Sequence, residues 1–366
     1  MNILELCLSP SFGGLEIHMR DLSRWLAGRT DAALHLAVAE GSRIDESLRG
    51  LQRPTLSFST QAGKLPLRSA LRLARFVDRH AIDVVHVHWK DDLPLAAIAK
   101  RMARRRVRLV HTRQMSMPGR KKDPYHRLIY RSLDCFIAIT RFVAAQAARN
   151  LPIPEDRIVQ IYYGVDIPPV RPEAVLALKQ KLNLQGNMVV GVVGRVTELK
   201  GQHLLIEAVD RLRSDGLHVD ALIVGEPFEH SYVERLRTMV RDRGLTDQIR
   251  FEAFHPNPQE IMSCCDIVAL TTKAETFGLV LVEAMHCGVA VIGSDAEGVP
   301  EIIDDGKTGL LFEPGSAESL ARSIRTLLED VALRHRLALA GKAKAKAAFS
   351  RETQYEKFYA ALQGSE

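Results

Sequence analysis

Short apolar runs alternate with amphipathic ones along almost the whole chain. In the first half, residues 3–8, 34–39, 84–87, 107–111, 135–139 and 158–161 read as strands. Between them, 15–26, 67–77, 94–103, 125–131 and 142–148 read as helices. Strands that alternate with helices predict βαβ units and a parallel sheet. The second half repeats the scheme, with strands at 189–193, 221–224, 249–252, 266–270, 290–292 and 310–312. Between the halves, Pro168, Pro169 and Pro172 fall close together and continue neither strand nor helix. The chain therefore reads as α/β with two domains, 1–167 and 168–349, followed by a last helix over 352–362.

One stretch, 273–309, stands out from this regular pattern. Its segment 277–293 carries no charge except Glu283 and, when protonated, His286. A helix apolar on nearly every face is a buried helix. An ionised carboxylate inside it is expensive unless something bonds or neutralises it, so Glu283 is expected to have a partner. A pair of sugar hydroxyls is one such partner. Glu275 stands where the buried strand 266–271 gives way to this helix, at the strand end where open parallel sheets bind ligands. Free backbone N–H groups from Phe277 to Leu279 favour an anion there. The two carboxylates do not suit a retaining glycosidase: those stand about 5 Å apart, whereas eight helical residues span about 12 Å. The plainer alternative is that Thr276 caps the helix, Glu275 is solvated and Glu283 is a paired structural charge.

A second stretch, 191–201, delivers Arg195 and Lys200 from a buried strand to a loop before a helix. A forked guanidinium and a compact ammonium suit a diphosphate, although either alone reads as a surface charge. Gly13 and Gly14 follow the first strand, and paired glycines let a backbone approach a ligand at a helix start. The turn lacks the full G-x-G-x-x-G, which argues against a nicotinamide cofactor. His86 and His88 share one strand face, yet no acidic or cysteine partner is visible near them, and a metal site is not expected. His111 ends a strand, a position where a satisfied polar residue is as ordinary as a ligand contact.

Composition narrows the class further. An apolar fraction of 46% with 26% charged residues suits a chain that buries a core. The five cysteines are odd in number and without C-x-x-C spacing, against a disulfide framework or zinc site and for a reducing compartment. No apolar run approaches the about 18 residues of a membrane span, and Glu5 interrupts any secretory signal. The expected place is the cytoplasm or the inner face of the cell membrane. The net charge of +6 is uneven: residues 100–131 hold twelve Lys and Arg against Asp123 alone. That run reads as a solvated face with phosphate-binding arginines or as contact with an anionic membrane surface, and no nucleic-acid motif accompanies it.

Taken together, Glu275-x7-Glu283, Ala284-Met285, Gly288, Val291-Ile292, Glu301 and Gly306-x2-Gly309 resemble family 4 of the retaining glycosyltransferases. Gly13-Gly14-Leu15-Glu16 and the Arg195/Lys200 loop match the same family. The resemblance implies a GT-B fold, two Rossmann-like doubly wound domains facing a cleft, with the last helix, within 350–366, crossing back to the first domain. It implies retaining transfer from a UDP- or GDP-sugar to a glycan or lipid-linked acceptor, as in envelope polysaccharide or lipopolysaccharide assembly. Arg195 and Lys200 then hold the leaving diphosphate, Glu283 the ribose, and Glu275 the donor sugar. Thr276, Phe277, Gly278 and Leu279 fix sugar and phosphate, Gly13 and Gly14 lie against the diphosphate, and His111 bonds the sugar. Gly225 is expected near the base, and Phe254 and His255 in its pocket. No aspartate pair implies a metal, so no metal or other cofactor is expected. Two departures stand out: Tyr163 replaces the family's asparagine before Gly164-Val165-Asp166, and Glu297 replaces a glycine. Glu297 is expected to face away from the phosphate or to read the acceptor. The alternatives are a nucleotide-sugar epimerase of the same fold or a non-catalytic nucleotide-binding subunit.

Overall fold

The computed structural model describes residues 1–59, 66–117, 119–184 and 186–365. Glu366, the last residue of the expected crossing segment, lies outside them. The chain divides into two compact units, Met1–Gly164 with Glu352–Glu366, and Val165–Arg351.

The first unit is built on seven parallel strands: β1 (Asn2–Cys7), β2 (Ala33–Ala39), β3 (Thr55–Phe58), β4 (Val84–Val87), β5 (Arg108–Arg113), β6 (Cys135–Ala138) and β7 (Ile158–Gln160). Their order is 3-2-1-4-5-6-7. The chain starts at the centre and winds outward in both directions, the doubly wound arrangement. β3 escaped the sequence reading because Thr55 to Phe58 lie at the sheet edge, where one ladder of bonds holds a half-exposed run. Alternate strand residues point to opposite faces, and each face is covered by helices. Leu4, Leu6, Val85 and Phe136 pack on one side with Leu73, Ala96 and Val143. Ile3, Val84, Val110 and Ile137 pack on the other with Met19 and Leu22.

The last helix, Arg351–Gln363, belongs to that second layer. Tyr355, Phe358, Tyr359, Ala361 and Leu362 are buried in it. Its outer side is tied down by polar contacts. Trp25 Nε1 donates to Glu352 at 2.9 Å, and Arg29 pairs with Glu356 at 2.5 Å while its guanidinium sits over the Tyr359 ring. Exposed ion pairs add about 0–1 kcal/mol each, so the aromatic burial dominates.

The second unit has six parallel strands: β8 (Met188–Val193), β9 (Val219–Val224), β10 (Ile249–Glu252), β11 (Ile267–Leu270), β12 (Ala290–Ser294) and β13 (Leu310–Phe312). Their order is 10-9-8-11-12-13, so β8 and β11 are neighbours at the point where the winding reverses. The apolar run after β11 divides into the helix Leu279–Cys287 and β12, with Gly288 in the left-handed conformation between them. Glycine takes that conformation without the Cβ clash other residues meet.

Phe358 carries the anchoring of the last helix, being fully buried between His18 and its own helix. Phe358→Ala is expected to lower the unfolding free energy by about 3–5 kcal/mol. Urea unfolding followed by circular dichroism measures it, and a change below about 1 kcal/mol would contradict this packing role.

Candidate active site

In the second unit the chemistry gathers at the carboxyl ends of β8, β11 and β12. After β8 the chain turns at Gly194 and presents Arg195, then makes one turn of 3-10 helix over Glu198–Lys200. Thr197 starts that turn, its hydroxyl accepting from Leu199 N–H at 3.2 Å. Gly201 ends it in the left-handed conformation, and a Cβ there would stand 2.5 Å from the Thr271 carbonyl oxygen. Thr271 in return donates its hydroxyl to the Lys200 carbonyl at 2.7 Å. This clamp sets Lys200 beside the loop that follows β11. Lys200 Nζ donates to Glu275 Oε2 at 2.7 Å, with side-chain exposures of 31% and 20%, so the pair remains reachable from solvent. Gln202 Nε2 holds the Arg195 carbonyl at 2.9 Å, while the Arg195 guanidinium lies exposed over the Phe228 ring without an ion-pair partner among the described residues.

Glu275 leads into the helix Leu279–Cys287 through Gly278, which caps the helix in the left-handed conformation. No side chain caps it, so Thr276 does not serve that role. Phe277 is buried and meets Phe349 edge-on at 5.8 Å; its ring serves the core rather than a ligand. The first N–H groups of the helix from Leu279 lack the partners four residues back that later ones have, although Leu281 N–H donates to the Gly278 carbonyl at 3.0 Å. Glu283 lies one turn on. The expected protein partner is not there: no hydrogen bond or ion pair engages its carboxylate among the described residues. It keeps some accessible surface, and burial raises its pKa to about 7. An acid whose folded pKa lies above its unfolded value binds its proton more tightly in the folded chain. Its favourable contribution is present below about 4.5 and is lost as pH rises toward about 7.

Gly225 follows β9. A Cβ on it would fall 1.8 Å from the Gly194 carbonyl oxygen, so this glycine lets two turns touch. Phe254 is exposed, and His255 Nδ1 is engaged with Asn257 in a local turn. Asp166 pairs with Arg351 at 3.4 Å, on the surface of its unit. Glu297 is half-buried within reach of the Glu275 charge, and burial first and that charge second raise its pKa.

In the first unit, Gly13 caps the helix Gly14–Ala27, and its N–H donates to the Glu16 carboxylate at 2.7 Å. Glu16 therefore closes the turn. His111, at 1% exposure, donates from Nδ1 to the Val87 carbonyl at 2.9 Å. Burial first, and Arg113 second, lower its pKa to about 3, so the ring is neutral. Its Nε2 then carries a lone pair without a protein partner, suited to accept from a hydroxyl. Tyr163 is buried, packs on His18 at 4.7 Å and donates its hydroxyl to Gln114, a structural role for the unexpected residue.

Two features escaped the sequence reading. His86 and His88 do have an acidic neighbour, because the β1–β4 register sets Glu5 opposite His86. Glu5 accepts from both rings, at 3.0 Å from His86 Nδ1 and closer still from His88, and Thr112 meets the far side of His86. Burial pushes Glu5 up, but the two histidines overcome it and hold the carboxyl at about 2. Such a pairing depends on register between strands 81 positions apart, which no local spacing reveals. The second is Asp92, buried, accepting from Leu8 N–H at 2.8 Å at the end of β1. Burial raises its pKa to about 8. In the sequence it reads as part of a surface run, Lys90-Asp91-Asp92.

The basic run 100–131 is not one surface. Lys100 pairs with Asp134, and Arg105 with Asp83. Arg108 bonds the Ala361 carbonyl, and Arg113 is buried and bonds the Met115 and Ser116 carbonyls. Lys122, Arg127 and Arg131 are exposed, and with Arg157 they line a groove of about 620 Å³ floored by residues 151–154 and edged by Glu155.

Two doubly wound parallel-sheet units, the second with cations and carboxylates at its strand ends, define an α/β protein built to bind a ligand there. The chain belongs to the family 4 type of glycosyltransferase: Glycosyltransferase Family 4 matches residues 12–167 and Glycosyl transferases group 1 matches 176–344. It is 26% identical to the N-acetyl-alpha-D-glucosaminyl L-malate synthase of Bacillus anthracis, covering 96% of this chain and 94% of that one. It is 28% identical to the lipopolysaccharide core biosynthesis mannosyltransferase LpcC of Rhizobium leguminosarum bv. viciae, over 88% and 89%. The structure of Anabaena Alr3699/HepE in complex with UDP superposes with a TM-score of 0.89 over 100% of both chains at 26% identity. A complex of the same protein with UDP-glucose gives 0.85. The fold is GT-B.

Replacing Glu283 by Gln removes a buried charge. At pH 8 the variant is expected to be more stable than the wild type by about 1–3 kcal/mol, the gain vanishing near pH 4. Urea titrations at the two pH values measure this; equal stability at both would place Glu283 in an ordinary solvated setting.

Proposed function

We propose that this chain transfers a sugar from a nucleoside diphosphate donor to a glycan or lipid-linked acceptor with retention of anomeric configuration. The Lys200–Glu275 pair carries this reading, together with the unpartnered Glu283 in the first turns of the helix that follows. Arg195 and Lys200 take the charge that develops on the departing diphosphate, the electrostatic assistance that dominates many catalysed transfers. Lys200 also fixes the Glu275 carboxylate, whose free lone pairs accept from donor-sugar hydroxyls. Glu283 accepts from the ribose hydroxyls in its ionised form.

The proposed step is a same-face displacement. The bond from the anomeric carbon to the phosphate oxygen breaks, and one to the acceptor oxygen forms on the same face. The acceptor proton passes to the leaving phosphate. No residue is asked to form a covalent sugar intermediate, and the proposed reaction requires no metal. UDP is the nucleotide favoured by the Anabaena complexes. The lipopolysaccharide core relative favours an envelope-glycan acceptor. We further propose that the exposed cations of residues 100–131 bring the chain to the anionic inner face of the cell membrane. Each Lys or Arg near such a surface adds about 1 kcal/mol. No helix among the described residues is long and apolar enough to cross a membrane.

Thermal shift with UDP and GDP comes first, because a ligand of the folded state raises the melting temperature by mass action. One nucleotide is expected to stabilise the wild type and to lose that effect with Glu283→Ala. Silence of both at millimolar concentration would refute the donor site. With the donor in hand, Lys200→Ala is expected to lower kcat by about 10²–10³, while EDTA leaves turnover of metal-free enzyme intact. Full activity of Lys200→Ala, or loss with EDTA, would contradict the proposed step. Consumption of donor without acceptor, giving an isomeric nucleotide sugar, would point to an epimerase.

Flotation with phosphatidylglycerol vesicles tests the membrane proposal. Binding is expected at low salt, with a several-fold loss at 0.5 M salt or in the Arg127→Glu/Arg131→Glu variant. Equal flotation with neutral vesicles would refute it.

A further inference from the structure

We infer that Glu297 selects the donor sugar, favouring neutral sugars rich in hydroxyls and excluding those that carry a carboxylate. The inference rests on the donor-site reading above. Its first support is backbone strain. Glu297 has φ 49°, in the left-handed region that side chains rarely adopt. The glycine beside it, Gly298, has φ −89°, which any residue takes without strain. The position that would welcome glycine holds glutamate, and the position that tolerates any residue holds glycine. Gln52, Ala81 and Asn183 share this conformation at helix ends, where it closes the last turn; Glu297 follows no helix, and strained residues outside such turns cluster at ligand sites.

The second support is where that side chain lies. Gly298 N–H donates to the Glu275 carbonyl at 3.1 Å, and Ser294 Oγ donates to the Thr272 carbonyl at 2.7 Å. These two bonds bind the loop after β12 to the loop after β11 at the ligand-binding edge of the sheet. Glu297 is half-buried there, and the Glu275 charge is among the groups that act on its carboxyl. Glu275 is neutralised by Lys200 at 2.7 Å. Glu297 has no such counter-charge, and no hydrogen bond engages it among the described residues.

The chemistry of the pair follows. Two carboxylates against one lysine leave a surplus of acceptors and one net negative charge. Ring hydroxyls donate to such a pair. A sugar carboxylate brings a third negative charge and no donor, and like charges placed together strongly disfavour a ligand. Glu297 is thus a specificity residue beside Glu275.

The test is calorimetric titration of the full chain at pH 8 with UDP, UDP-glucose and UDP-glucuronate. GDP, GDP-mannose and GDP-mannuronate replace them if the chain selects GDP. Wild type is expected to bind the neutral sugar at least about tenfold tighter than the uronate. Glu297→Gln, which keeps the size and removes the charge, is expected to narrow that ratio to about threefold or less by tightening the uronate, with nucleotide affinity unchanged. Glu297→Gly is expected to narrow it likewise and to raise the melting temperature, since glycine relieves the strain. Unchanged ratios in both variants with intact nucleotide binding would overturn this inference alone, as would equal binding of the two sugars by wild type. Absence of any nucleotide binding would overturn the donor-site reading with it.

Discussion

Lys200 and Glu275 come from loops 75 residues apart and meet at 2.7 Å. Everything at the strand ends of the second unit depends on that meeting. It requires β8 and β11 to be neighbours, which the outward winding of the sheet provides. It also requires the Lys200 turn to lie directly on the end of β11, which only a glycine at position 201 permits, with Thr271 closing the gap. A half-exposed ion pair adds about 0–1 kcal/mol to folding. Its significance is therefore positional: the pair holds an ammonium and a carboxylate in fixed places while both remain open to solvent. A pair that stabilised the fold by deep burial would be unavailable to a ligand.

The buried carboxylates of this chain show the same distinction from the other side. Glu5 is fully enclosed, and two histidines satisfy it, so it is held ionised at about 2 and belongs to the architecture of the first sheet. Glu283 has no protein counter-charge, and burial alone drives it to about 7. An unsatisfied buried polar group costs free energy that a folded chain normally avoids. On the proposed reading, its persistence on a helix opening at a strand end is that of a group held for a ligand. His111 is the neutral counterpart, one nitrogen fixed by the backbone and the other left unbonded.

How much of this was legible depends on whether the relevant contacts are local. The alternation of strand and helix, the proline-rich break and the strand-end placing of Glu275 are written in short windows, and the parallel sheets follow from them. The Glu275–Glu283 spacing is equally local, since one loop and the helix that follows it carry the two residues. Cross-strand register is not local, which is why Glu5 was invisible beside His86 and His88. Edge strand β3 was missed because half-exposed residues leave a weak pattern. Gly225 and Phe277 had motif neighbours that suggested ligand contact, yet a Cβ at 225 would fall 1.8 Å from the Gly194 carbonyl oxygen and the Phe277 ring meets Phe349 edge-on, so the first, and the ring of the second, have structural work. The basic run was a matter of counting charges, whereas the structure shows several of them engaged in holding the unit together.

The charges at the donor edge sort a ligand by its parts. Arg195 and Lys200 are cations; Glu275, Glu283 and Glu297 are acids, and only one of the three is paired. A nucleoside diphosphate sugar presents one anionic segment between two hydroxyl-bearing ones. On the proposed reading the diphosphate lies toward the cations and the hydroxyls toward the acids. Sliding the ligand along the edge would set phosphate against unpaired carboxylates and leave the exposed guanidinium with no anion. The place of the diphosphate then follows from the sign of charge along the ligand, while contacts at the base and the sugar decide which end lies on which side. The strain at Glu297 extends the same logic by one residue, adding a carboxylate where the sugar would lie and so making the charge of the sugar itself part of what is recognised.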